Sequence, residues 1–100
     1  MKTQWIGRGQ VVVTSGVDAF LDDSKITECL RRHFSGDFGE LCAEDLQANQ
    51  DTVRLGLESR EERSMVLSSY SVADVDGHDK VWVVTDPGWD VTTVLFPEEY

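Results

Sequence analysis

One hundred residues imply one domain spanning 1–100. Nineteen Asp and Glu against nine Lys and Arg leave a formal net charge of -10. That excludes a sequence-general nucleic-acid binder, which needs a basic footprint to displace counterions from phosphate, and disfavours an anionic membrane surface.

No apolar run approaches the ~18 residues that span a bilayer. No apolar stretch follows the N-terminal Met1-Lys2 to form an export signal. Cys29 and Cys42 are too few for a disulfide scaffold and match no zinc spacing. A reducing cytoplasm is the expected setting, with both thiols acting as small buried hydrophobes.

In chain order, Val11-Val12-Val13-Thr14 is a β-branched run between Gly7-Arg8-Gly9 and Ser15-Gly16, and reads as one strand. Asp22, Asp23 and Ser24 offer N-caps to a helix whose apolar positions are Ile26, Cys29, Leu30, His33 and Phe34, one helical face. Arg31 and Arg32 near its end suit the macrodipole, and Gly36 supplies a left-handed C-cap. After Asp37-Phe38-Gly39, the acidic residues Glu40, Glu44 and Asp45 open a second helix carried by Leu41, Leu46, Val53 and Leu57. Asn49 shares that face and is expected to be buried and hydrogen-bonded, while Gly56 weakens the last turn. Arg60-Glu61-Glu62-Arg63 reads as an exposed charged bridge.

Residues 65–72, 81–85 and 91–96 form three β-rich runs, separated by Asp76-Gly77 and Asp86-Pro87-Gly88. Short connections of this kind favour an antiparallel meander. The expectation is an α+β fold in the order β-α-α-β-β-β, with an antiparallel sheet and two helices packed on one face.

Catalytic chemistry would have to converge near His33, Asp37, Glu40, Glu44 and Asp45, which surround the corner between the helices. His33, however, shares its face with Ile26, Leu30 and Phe34, as a satisfied core histidine does. The carboxylates are what a helix N-terminus attracts without any catalytic task. Asp74-Val75-Asp76-Gly77-His78-Asp79 resembles a calcium loop, but its glycine falls at position 4 and Thr85 at position 12, where that loop needs position 6 and a glutamate. No nucleophile elbow or phosphate-cradling loop is present. The chain is therefore read as a non-enzyme with no cofactor and no metal. Trp82 is expected in the core. Trp89, flanked by Asp86 and Asp90, either anchors an interface or folds back over the sheet edge.

Three blocks of residues resemble a known family. The first is Gly9-x-Val11-Val12-x-Thr14-x-Gly16-Val17. The second is Arg32-His33-x-x-Gly36-Asp37-Phe38-Gly39-x-Leu41-x-x-Glu44-Asp45-x-x-x-Asn49. The third comprises Leu67-Ser68-Ser69-Tyr70, Trp82-Val83-Val84-Thr85 and Thr92-Thr93-Val94-Leu95-x-Pro97-Glu98-Glu99-Tyr100. Together they resemble the small plasmid- and phage-borne "plasmid-related protein" family, some members of which carry the label type I restriction enzyme modification subunit. Family members usually have Trp where this chain has Phe38, and Thr-Glu-Ala-Asp-Arg-Ser where it has Thr85-Asp86-Pro87-Gly88-Trp89-Asp90. The resemblance implies a mobile-element setting more than a mechanism.

Charge and setting together point to an inhibitor of a host defence complex, a CRISPR effector or restriction enzyme, whose basic nucleic-acid channel is filled by a DNA-like acidic surface. Residues 1–34 sum to +1, whereas residues 35–62 and 63–100 sum to -6 and -5. The expected contacts are Asp37, Glu40, Glu44, Asp45, Asp51, Asp74, Asp76, Asp79, Asp86, Trp89 and Asp90. The partner is that protein complex, with neither direct nucleic acid nor membrane, and a homodimer fits this reading. The alternative is an accessory interaction protein of a plasmid or phage, without mimicry.

Overall fold

The computed structural model describes residues 9–75 and 77–100, with the side chains of Asp74 and Val75 left out of account. Trp5, Gly7, Arg8 and Asp76 lie outside the described residues. Strand β1 is Gln10–Val13, followed by helices α1 (Ser15–Phe20), α2 (Asp23–Phe34) and α3 (Ala43–Glu58). A 3-10 turn at Arg60–Glu62 leads into β2 (Val66–Val75), β3 (His78–Thr85) and β4 (Val91–Leu95). The fold is α+β, with the helices laid against one four-stranded sheet in the order β1-β4-β3-β2.

The sheet is mixed, which corrects the expectation of a wholly antiparallel one. β2, β3 and β4 form the antiparallel meander, but β1 lies parallel to β4, with Gln10 beside Val91 and Val13 beside Val94. The bonds Gln10 N–H to Asp90 O (2.9 Å) and Thr14 N–H to Val94 O (3.1 Å) hold this pairing. Helices α1 to α3 and strands β2 and β3 intervene between β1 and β4, so the chain has ample length to bring β4 back beside β1 in the parallel sense.

A third helix, α1, starts at Ser15-Gly16, which read as the turn that ends the first strand. Its N-cap is Thr14, whose hydroxyl accepts from Val17 N–H at 3.3 Å. The same hydroxyl donates to Glu99 Oε1 at 2.8 Å, and that oxygen also accepts from Phe96 N–H at 2.8 Å. The C-terminal turn is thereby tied to the junction of β1 and α1. Helix α2 is capped by Asp22, which accepts from Lys25 N–H at 2.8 Å, and is closed by Gly36 at φ 87°. Helix α3 begins at Ala43 after the N-cap Cys42, later than Glu40. Cys42 is exposed there, so only Cys29 behaves as a buried hydrophobe.

Val17 and Leu21 of α1, with Ile26 and Cys29 of α2, pack on Tyr70, Val81, Val83, Val94 and Phe96. A second cluster of Phe38, Val66 and Trp89 receives Phe34, Leu41, Leu46 and Val53. Strand alternation puts Val66 on the same sheet face as Tyr70, so both clusters form one continuous layer. On the opposite face Trp82 is half-buried, and its ring meets Tyr100 edge-on at 5.9 Å.

Candidate functional site

His33, on which a catalytic reading with the neighbouring carboxylates would have centred, is fully buried. Its Nδ1 lies 2.5 Å from Ser68 Oγ, and its Nε2 lies 2.8 Å from Thr85 Oγ1. Thr85 Oγ1 is in turn 2.8 Å from Thr92 Oγ1. This string of four polar side chains needs only one proton per link, so a neutral imidazole satisfies it in either tautomer. Burial pushes the His33 pKa down to about 3, because charging the ring would strand a cation in an apolar interior. His33 is thus a buried structural centre that ties α2 to β2, β3 and β4. Among the described residues, no group of three or more His, Cys, Asp and Glu could hold a metal ion.

Those of the expected acidic contacts that are described have different surroundings. Asp37 is engaged by Arg32, whose Nε donates to Asp37 Oδ2 at 2.8 Å and Nη2 to Oδ1 at 3.2 Å. Its backbone carbonyl accepts from Tyr70 OH at 2.7 Å, and the Arg32 guanidinium lies 4.5 Å over the Tyr70 ring. Asp37 therefore locks the corner between α2 and β2 and offers little free charge. Asp51 accepts from Gln47 at 3.0 Å and lies 3.7 Å from Arg54. Glu40 is exposed and accepts from Ser71 Oγ. Glu44 and Asp45 are exposed in the first turn of α3. Asp45 stands at the rim of a cleft of about 310 Å³ lined also by Leu41, Asn49, Met65 and Leu67.

Asp79 is exposed near the start of β3, whereas Asp86 follows its end. Seven residues of strand put these two about 23 Å apart. Asp76 lies outside the described residues, and for Asp74 only the backbone in β2 is described.

Trp89 is a clear correction to the reading of an exposed anchor. It is 3% exposed, in the second core cluster. Its φ of 64° is left-handed, rare for a large side chain. The turn Asp86-Pro87-Gly88-Trp89 enforces that conformation and drives the indole inward, against Gly56 of α3. Trp89 Nε1 donates to Ser64 O at 2.9 Å, and Gly88 N–H donates to Arg63 O at 2.8 Å. The Arg63 guanidinium covers the ring at 4.8 Å and its Nε donates to Gly56 O at 2.9 Å.

These bonds sew the turn between β3 and β4 onto the segment between α3 and β2. Exposed Asp86 and Asp90 thereby join exposed Glu58, Glu61 and Glu62 at one end of the molecule. None of these five forms an ion pair among the described residues. Arg63 is occupied by Trp89, which leaves Arg60 as the exposed cation of this end among the described residues. Glu58, Glu61 and Glu62 escaped the sequence reading because 24 positions separate Glu62 from Asp86. The available signal was the buriable Trp89 facing a helical glycine.

Comparison with protein-family models, curated proteins and solved structures finds no match to this chain.

Proposed function

We propose that this chain is a non-enzymatic protein of a plasmid or phage that inhibits a host defence complex. It occupies the basic nucleic-acid channel of a CRISPR effector or restriction enzyme with the acidic end around Trp89. The observation that carries this reading is the clamp just described. Five exposed carboxylates without ion pairs among the described residues stand on two segments fastened together through Trp89, Gly88, Arg63 and Ser64. A preorganised array of this kind loses little side-chain and loop freedom when it meets a row of Lys and Arg. It also displaces DNA by the same charge complementarity that binds phosphate. The single surface inferred from sequence thus contracts to Glu58, Glu61, Glu62, Asp86 and Asp90, with Glu40, Glu44 and Asp45 as a second acidic group near α3.

The test is phage plaquing on cells with active CRISPR or restriction systems, with and without this protein. Restored plaquing in at least one system is expected. No protection across several system types overturns the inhibitor reading and leaves the accessory one.

A further inference from the structure

We propose that β1 is a self-association edge, through which two copies pair antiparallel about a twofold axis at Val12 and join their sheets into one. This inference stands apart from the acidic end and does not require it.

The two edges of the sheet are treated differently. On the β2 edge, the chain at residues 38–40 adds a short parallel pairing, with Ser69 N–H donating to Phe38 O (3.1 Å) and Glu40 N–H donating to Ser69 O (2.7 Å). On the β1 edge no described residue pairs with the outer side. Natural edge strands are usually blunted by charge, proline or a bulge. Residues 9–17 contain no charged side chain and no proline. Val11 and Val12 are 44% and 37% exposed, and Phe20 of the adjoining α1 is 47% exposed.

Backbone geometry fixes the register. The N–H groups of Gln10 and Thr14 point to β4. Within a strand the backbone groups alternate sides, so Val12 also faces β4 while Val11 and Val13 turn their N–H and C=O outward. An antiparallel twofold with Val12 opposite Val12 of the second copy matches Val11 to Val13 in both directions. Each such match exchanges two hydrogen bonds, and the Val12 side chains meet at a non-hydrogen-bonded position. A register shifted by one residue would set outward groups against inward ones and make no bonds.

Charge favours the same arrangement. Acidic residues 35–62 lie towards the β2 side through α3, while β1 adjoins α1. Pairing through β1 therefore sets residues 35–62 of the two copies, the more acidic segment, at the far edges of the joined sheet, while Asp90 and Glu99 stay beside the ends of β1. The buried strip is short, so the dimer is a concentration-dependent one.

The test is sedimentation equilibrium of the purified chain over a wide concentration range. The mass is expected to rise from 11.2 kDa towards twice that value. Val11→Pro removes an outward donor while keeping every bond from β1 to β4, a position where an edge strand tolerates proline. It is expected to keep the wild-type circular dichroism and to stay monomeric throughout. A second variant, Val12→Cys with Cys42→Ser, is expected to form a disulfide-linked dimer under mild oxidation, because facing non-hydrogen-bonded residues fall within disulfide reach. A wild-type chain that remains monomeric at every concentration overturns the proposal. So does a folded Val11→Pro chain that dimerises like wild type. If Val11→Pro fails to fold, the cysteine variant decides, and its failure to cross-link is equally fatal.

Discussion

The indole of Trp89 lies so close to Gly56 of α3 that a Cβ on Gly56 would sit 2.4 Å from Trp89 Cη2 and Cζ2. The glycine exists for the tryptophan. Helix propensity alone favours alanine there by about 1 kcal/mol. The ring cannot retreat, because Nε1 is tied to Ser64 O and the turn to Arg63 O. Gly56→Ala is therefore expected to destabilise the protein by roughly 1–3 kcal/mol, the usual cost of overpacking. Urea unfolding checks this, and an unchanged or raised midpoint contradicts it.

His33 predicts an acid-sensitive core. An unfolded histidine titrates near 6.5, and burial lowers the folded value to about 3. Between those values the unfolded chain takes up a proton that the folded chain refuses, so stability falls as pH drops. The contribution is fully present above pH 6.5 and is lost progressively towards pH 3, by about 5 kcal/mol in all. Replacing His33 with glutamine should flatten that slope between pH 6.5 and 4. It should also cost about 2 kcal/mol at neutral pH through the disturbed bonds to Ser68 and Thr85. Denaturant titrations at several pH values give both quantities.

The two thiols should react at very different rates. Cys42 is exposed, whereas Cys29 is 1% exposed and its thiol pKa is raised chiefly by burial. Reaction requires an accessible thiolate. In the folded protein a maleimide reagent should label Cys42 alone, and Cys29 only after denaturant is added. Mass spectrometry of the labelled chain reads this directly.

Local chemistry was legible where neighbours in sequence set it. The caps and apolar face of α2, the buried Asn49 (its Nδ2 donating to Leu67 O at 2.6 Å) and the meander turns follow from residues a few positions apart. What was not legible depends on contacts across the chain. The parallel place of β1 is set by bonds to β4, some 80 residues away. Helix α1 is only six residues long and is held by Thr14 and the distant Glu99. The surroundings of the individual acidic residues were not legible for the same reason. Neighbours such as Asp37 and Glu40 diverge into different bonds, while the segments that carry Glu62 and Asp86 are brought to one end by Trp89 beside Gly56.

Neutralising the acidic end should spare the fold. Glu58, Glu61, Glu62, Asp86 and Asp90 are all exposed, and surface changes of this kind usually shift stability by no more than ~0.5 kcal/mol. Relief of like-charge repulsion works in the stabilising direction. Amide substitution at all five should therefore leave the thermal midpoint equal to or slightly above that of wild type, as calorimetry would record.

The same five-amide chain supplies the most direct measurement. Its affinity for a purified CRISPR effector that wild type inhibits should be compared with that of wild type and of a control carrying Asp18→Asn and Asp79→Asn, both exposed and outside the acidic groups. The account predicts a loss of roughly tenfold or more for the five-amide chain, with wild-type binding weakening as salt rises and the control staying near wild type. Equal affinity of the five-amide chain and wild type would contradict it.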